Sequence, residues 1–214
     1  MAAAIGLADE AGPEALTMKA VAGRLGSYSA MALYRYVYSK DGLVDLMLDA
    51  AAGEIPLPGR PGPSWRDDLW QLATQTRQMI RRHPWYAVLF HTRPPVGPHL
   101  LRRLEFVLEV LTSRGATVAE AMTYAALLDR HVLGSGLQDA EEASMNRRHG
   151  FDSEAGLAAA MATVHQLAAA SGDYPRLTSW LTRPTGPATD EQFSLGLGFL
   201  LDGIATQLPG APRS

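Results

Sequence analysis

Apolar residues recur at intervals of three and four along most of the 214-residue chain. In one representative stretch, Leu69, Leu72, Thr76 and Ile80 would share one face of a helix. This spacing is typical of amphipathic α-helices, whereas half-buried strands alternate every second residue. Alternating β-branched runs do not occur in the sequence. The pattern therefore predicts an all-α fold.

Segments rich in proline and glycine interrupt the helical pattern. The longest, IPLPGRPGPS, covers residues 55–64 and predicts a linker or a sharp corner. We place a domain boundary there, between residues 1–54 and residues 55–214. Shorter breaks are expected at residues 93–98 and 182–189, and the Gly134-Ser135-Gly136 segment predicts a kink in the helix that begins near residue 117.

Composition excludes several kinds of protein. The chain has no cysteine, so disulfides, thiol catalysis and cysteine zinc sites are excluded. No apolar run approaches the roughly 18 residues that a membrane span requires, and the N-terminus lacks the basic start of a signal peptide. We expect a cytoplasmic protein. His83, His91 and His99 are evenly spaced, but prolines separate them, and we predict neither a metal nor a cofactor.

One segment has a charge opposite to that of the whole chain. The formal net charge is −3, yet all charged residues from Ala15 to Lys40 are basic. They are Lys19, Arg24, Arg35 and Lys40. Such a segment can face phosphate while the rest of the molecule stays acidic.

The same segment has the features of a helix-turn-helix. Ala22 is a small residue in the middle of one predicted helix, Gly26 ends that helix, and a short helix follows at once. Val21, Leu25 and Leu33 would pack the two helices together. The second helix would then present residues 29–32 to the major groove, where small side chains allow the backbone to approach the base edges.

Residues 15–46 resemble the DNA-binding domain of the TetR family of transcriptional regulators. The resemblance lies in Leu16-Thr17-Met18-Lys19, Val21-Ala22, Leu25-Gly26, Ala32-Leu33-Tyr34 and Ser39-Lys40-Asp41-Gly42-Leu43. It implies phosphate contacts by Thr17, Tyr34 and Lys40. The first helix is shorter than is usual in the family, and the turn at residues 26–29 is one residue longer. The predicted DNA contacts are Thr17, Lys19, Tyr28, Ser29, Ala30, Met31, Tyr34, Arg35, Tyr36 and Lys40.

The remaining helices resemble the ligand-binding and dimerisation domain of the family in architecture. We predict a mainly apolar effector site with a few polar groups. Its candidate residues are Trp70, Trp85, Phe90, Phe106, Met122, Asp129, His131, Gln138 and His165. A four-helix bundle built from residues 117–134 and 190–207 of two protomers is the predicted dimer interface. Its candidate residues are Ala121, Ala125, Leu128, Val132, Phe193, Leu197, Leu201 and Ile204.

These features together predict a homodimeric, ligand-responsive repressor that a small molecule releases from a near-palindromic operator. Activation or corepression is an open alternative within the same class. A helical protein-interaction module without DNA binding is a second alternative, and a helical enzyme is a third. The enzyme is disfavoured because no acid/base constellation stands out in the sequence.

Overall fold

The computed structural model describes residues 1–26, 28–90, 96–149, 154–183 and 186–209. These residues form helices and connecting turns and contain no strand, which confirms the predicted all-α class. No helix within the described ranges has the length and apolarity needed to cross a bilayer.

The α-helices are numbered in chain order. They are α1 (Ala2–Ala11), α2 (Met18–Leu25), α3 (Ala30–Val37), α4 (Lys40–Ala52), α5 (Trp65–Arg82), α6 (Trp85–Phe90), α7 (Pro98–Thr112), α8 (Val118–His149), α9 (Glu154–Ser171), α10 (Pro175–Thr182) and α11 (Thr189–Gln207). A short 3-10 turn, Pro13–Ala15, joins α1 to α2.

Hydroxyl side chains begin three consecutive helices near the N-terminus. Thr17, Ser29 and Ser39 each accept a hydrogen bond from the backbone N–H three residues ahead, at 3.1, 3.2 and 2.9 Å. Such N-caps satisfy donors that the first turn of a helix leaves unpaired. Gly26 ends α2 with a φ of 72°, a conformation that a side chain disfavours. Short polar signals therefore fix where α2, α3 and α4 begin.

The chain divides into two compact units, residues 1–137 with 196–214 and residues 138–195. The boundary between residues 54 and 55 stays a prediction. Within the first unit, α1 to α4 form a small bundle, which we call the head. Helix α4 also packs against α5, α6 and α7. The buried core of this unit includes Met47 and Ala51 of α4 and Leu72 of α5, each at most 2% exposed. Helix α4 therefore connects the head to the helices that follow it.

Helix α8 runs without a break through the segment in which a kink was predicted. Gly136 is buried there, and a Cβ on it would lie 2.5 Å from Cγ2 of Ile80 in α5. Gly134 has open space around it. The glycine at position 136 thus allows close approach between two helices, because a larger side chain would not fit.

The second unit contains α9 and α10, which pack against each other. The hydroxyl of Thr182 in α10 lies 3.3 Å from Nε2 of His165 in α9. Helix α10 was not predicted from the sequence. Pro175 occupies its first turn, a position at which proline is compatible with a helix.

Candidate nucleic-acid interface and effector site

All ten residues predicted to contact DNA lie in the head, and none of them is buried. Ala30 is half-buried and the other nine are exposed. Met31 in α3 is 76% exposed and Tyr36 is 66% exposed, which is unusual for large apolar or aromatic side chains in a folded core. Ser27, in the predicted longer turn, lies outside the described residues. Exposure makes these side chains available to a partner, and their contacts with DNA remain predictions.

Helix α3 is held in place from one side only. Leu33 and Val37 are half-buried, while Met31, Tyr34 and Arg35 are exposed. The helix packs against α2 and α4. A short amphipathic helix supported in this way can present its free face to a groove of DNA.

Three cationic side chains of the head are exposed near α3. Lys19 lies in the first turn of α2, Arg35 in the last turn of α3, and Lys40 in the first turn of α4. Arg24, the fourth basic residue of the segment, makes a two-pronged ion pair with Glu10 of α1. The hydrogen bond from Arg24 lowers the pKa of Glu10. Arg24 therefore joins two helices of the head, and Lys19, Arg35 and Lys40 are the better candidates for phosphate contacts.

The nine candidate effector residues have different surroundings. Seven lie in the first unit, and Gln138 and His165 lie in the second. Gln138 donates a hydrogen bond to Glu142 at 2.8 Å, and His165 contacts Thr182. Trp70 is half-buried and Met122 is 45% exposed. That these nine side chains line one effector site stays a prediction.

Trp85 and Phe106 are both 1% exposed, so each is part of the protein's own core. The indole Nε1 of Trp85 donates to Oδ1 of Asp9 in α1 at 2.6 Å. The space beside Phe106 amounts to about 10 Å³, which is too small for an organic molecule. Sequence reasoning could not find the role of Trp85, because its partner lies 76 residues away. Both side chains therefore pack within the protein's own core, and their contact with an effector stays a prediction.

Two further candidates have partners within the protein. Asp129 in α8 accepts a 2.6 Å hydrogen bond from the buried guanidinium of Arg103 in α7. Burial disfavours the charged guanidinium, but the nearby Asp129 carboxylate outweighs that effect and raises the pKa of Arg103. The phenol of Tyr86 is buried next to this pair, and its pKa is raised mainly by burial. Phe90 stacks on Tyr86 with ring centroids 5.3 Å apart.

His131 in α8 packs closely against α11. A Cβ on Gly196 would lie 2.7 Å from Cε1 of the His131 ring. Of the histidines considered for a metal, His83 and His99 each bind carboxylates, and His91 lies outside the described residues. In the part of the chain that the structure describes, no three acidic or histidine side chains form a group that could hold a metal ion.

The eight residues predicted for the dimer interface are buried within a single chain. Ala121, Val132, Leu197 and Leu201 are fully inaccessible, and the others are at most 5% exposed. Side chains already covered by their own chain cannot also line a contact with a second copy. On the outward side of the same helices, Val118 and Met122 of α8 and Phe199 of α11 are 62, 45 and 67% exposed. The location of the dimer interface stays a prediction.

Asp49 in α4 joins the head to α7. Its carboxylate accepts hydrogen bonds from the backbone N–H groups of His99 and Leu100 at 2.9 and 3.0 Å, and lies 2.8 Å from Nδ1 of His99. Gly97, with a φ of 131°, has no room for a side chain, because a Cβ would lie 2.3 Å from Cγ of Asp49. The carboxylate thus caps α7 from another helix, a contact that the sequence pattern did not predict.

Comparisons with known proteins agree with this architecture. Residues 57–208 match the family described as Tetracyclin repressor-like, C-terminal domain. An HTH-type transcriptional regulator from Saccharopolyspora erythraea is 37% identical over 96% of this chain and 82% of its own length. The HTH-type transcriptional repressor DrrR1 from Streptomyces coeruleorubidus is 34% identical over 94% of this chain and 74% of its own length.

A solved structure shares the fold. The TetR family protein ActR from Streptomyces coelicolor, in complex with actinorhodin, superimposes with a TM-score of 0.80 at 23% identity, covering 99% of this chain and 95% of that one. The sequence matches extend over the head as well as the helices that follow it. The chain is a member of the TetR family of transcriptional regulators, a family of DNA-binding, ligand-responsive proteins rather than of enzymes.

Proposed function

We propose that the chain is a homodimeric repressor whose α3 helices read the two halves of a near-palindromic operator. The observation that carries the proposal is the free face of α3, on which Met31, Tyr34 and Arg35 are exposed between the cations Lys19 and Lys40. The relative DrrR1 is named as a repressor. Two reading heads would contact half-sites about one helical turn of DNA apart.

The phosphate contacts would come from residues around the helix N-termini. Thr17 and Lys19 lie at the start of α2 and Lys40 at the start of α4, where backbone N–H groups and the helix dipole favour an anion. The phenol of Tyr34 is 39% exposed on α3 and can donate a hydrogen bond to a phosphate oxygen. Contacts of this kind set affinity and orientation but do not distinguish bases.

A test of this proposal is a fluorescence anisotropy titration with DNA from the protein's own upstream region at several salt concentrations. Lys40→Ala should weaken binding to operator and to unrelated DNA by a similar factor, and should reduce the salt slope by about one phosphate contact. Tyr34→Phe should weaken both in the same way. Arg60→Ala, which changes an exposed cation beyond the head, is the matched control. A change in sequence preference at unchanged affinity for Lys40→Ala would show that the residue reads bases instead.

A small-molecule effector is the second part of the proposal. The solved structures of similar fold include ActR with actinorhodin and a TetR variant from Acinetobacter baumannii with minocycline, so this fold can hold small molecules. In our chain, Trp70, Phe90 and His131 are half-buried and remain candidate contacts. An effector would lower operator affinity by binding better to a conformer in which the heads are wrongly spaced.

Thermal-shift screening of aromatic metabolites provides the corresponding test. A ligand of the native state should raise the melting temperature, and the same compound should release the labelled operator. His131→Ala should reduce the rise in melting temperature that the ligand causes. His165→Ala, in the other compact unit, tests the second candidate histidine separately. A stabilising compound that leaves operator affinity unchanged would contradict the coupling.

The dimer interface is the third part. We place it on the exposed face formed by Val118 and Met122 of α8 and by Phe199 of α11. Large apolar side chains at 45–67% exposure are expected to be covered by a partner. Phe199→Glu should therefore give monomers in sedimentation experiments, with operator affinity reduced because one head binds only one half-site. Gln78→Glu adds the same charge at an exposed polar position of α5 and is the control. A Phe199→Glu variant that stays dimeric would place the interface elsewhere.

A further inference from the structure

His83 lies where the head meets the helices that follow it. It comes directly after α5, and its side chain is 10% exposed. Nδ1 of the ring is 2.8 Å from Oδ1 of Asp9, in α1 of the head. Nε2 is 3.1 Å from Oε1 of Glu54, two residues after the end of α4. One imidazole therefore joins the first and the last helix of the head to the end of α5.

Both ring nitrogens face carboxylate oxygens, which act only as acceptors when ionised. A neutral imidazole has one N–H and can donate to one of them, whereas the protonated ring donates to both. The geometry therefore requires the imidazolium form for both hydrogen bonds to exist. We call His83, Asp9, Glu54 and Trp85 the clasp.

The other polar groups around the ring fit this charge state. Trp85 Nε1 donates to the same oxygen of Asp9 that faces His83, and Arg82 donates to Glu54 at 2.9 Å. Partial burial acts to raise the pKa of Glu54, but the hydrogen bonds from Arg82 and His83 outweigh it and leave that pKa below its ordinary value. Glu54 is thus an anion at neutral pH. The carboxylates of Asp9 and Glu54 then face the guanidinium of Arg82 and the ring of His83. Protonation of the ring balances the two negative charges.

We propose that the clasp holds α1 and the end of α4 most firmly against the end of α5 while His83 is protonated, so that operator affinity falls as the ring loses its second proton. The proposal rests on the proposed DNA-binding function. When the ring is neutral, one nitrogen lone pair faces a carboxylate, and one of the two hydrogen bonds from the ring to the head is lost. A head that samples more orientations binds with lower apparent affinity, because only a fraction of the molecules are competent.

The protonation state can be measured without DNA. Nitrogen-15 NMR of the histidine rings, with His83→Gln used to assign the signal, reports whether one or both nitrogens carry a proton. We expect the His83 ring to be doubly protonated in the free protein under the conditions in which operator binding is strongest. A ring that carries a single proton under those conditions would overturn the clasp, whatever the outcome of DNA-binding measurements.

The effect on function is measured by operator binding at about pH 6 and about pH 9, in buffers of equal ionic strength. Between these two pH values, the operator affinity of the wild type should fall roughly fivefold. His83→Gln should bind the operator more weakly than the wild type does at the lower pH. The affinity of this variant should change little between the two pH values. Glu105→Gln, which alters an exposed carboxylate of α7 outside the clasp, should retain the wild-type change. Equal changes in the wild type and in His83→Gln would overturn the proposal.

A second variant guards against misfolding. Asp9→Asn keeps the size of the side chain but removes one of the two anions, and it should also reduce the pH dependence of operator affinity. Circular dichroism of each variant tests whether it retains its helices. If the wild type bound no DNA at any pH, the proposed function would fail, and the nitrogen spectra would still decide whether the clasp exists.

Discussion

Asp49→Ala is expected to destabilise the protein strongly. The Asp49 carboxylate is buried, with 7% of the residue exposed, and it accepts hydrogen bonds from the backbone N–H groups of His99 and Leu100. Alanine would remove the acceptor and leave both donors in the first turn of α7 without their partner. The exposed ring of His99 would turn to water and add little to the loss.

The magnitude follows from the number of donors left unsatisfied. A donor that loses its partner in a buried site costs about 1–3 kcal/mol. Leu100 is buried and accounts for most of this cost, whereas the backbone of the exposed His99 can recruit water. We therefore expect a loss of about 3 kcal/mol in the free energy of unfolding, which is a large part of the stability of an ordinary domain.

Urea denaturation followed by circular dichroism, at one fixed protein concentration, measures this loss. Asp202→Ala is the matched control, since Asp202 is 68% exposed at its side chain and forms a surface ion pair with Arg66 at 2.8 Å. That variant should lose at most about 1 kcal/mol. If Asp49→Ala lost no more than Asp202→Ala, the carboxylate would not be the structural cap of α7.

Two other changes test the packing of α8. Gly136→Ala should destabilise by about 1–3 kcal/mol because the new methyl group would overlap Ile80, while Gly134→Ala should be neutral or stabilising by up to about 1 kcal/mol. Thermal melts of the two variants compare them directly, and equal melting temperatures would contradict the close helix contact. Asp129→Ala should cost about 3–5 kcal/mol, because it leaves the buried guanidinium of Arg103 without its counter-ion. A melting temperature of Asp129→Ala within one degree of the wild-type value would show that water replaces the carboxylate.

The sequence predicted the end of α2 at Gly26 and the break before α5 because both depend on local signals. Thr17, Ser29 and Ser39 cap the helices that follow them, and Gly26 ends α2. These effects act over three or four residues, so they are visible in the sequence without any tertiary information. Helix α10 escaped prediction because it is short, with eight residues, and its apolar side chains do not form a long periodic stripe.

The site was harder to predict because periodicity shows which face of a helix is apolar but not what covers it. The stripe containing Leu197 and Leu201 was assigned to a second protomer, and the structure covers it with the same chain. In a similar way, Trp85 was assigned to an effector, although Asp9 of the head accepts its N–H. The contact between Trp85 and Asp9 joins residues 76 positions apart, and no local pattern encodes it.

Helix α3 has a thermodynamic consequence of its own. None of its eight residues is buried, so little apolar area holds it in the helical state. Isolated helices of this length are not stable in water. The amide protons of α3 should therefore exchange with solvent faster than those of α4, which buries seven residues. If the head binds an operator as proposed, association should complete the ordering of this helix. The heat-capacity change on operator binding should accordingly be more negative than the contact area alone would give, as in other cases of coupled folding and binding.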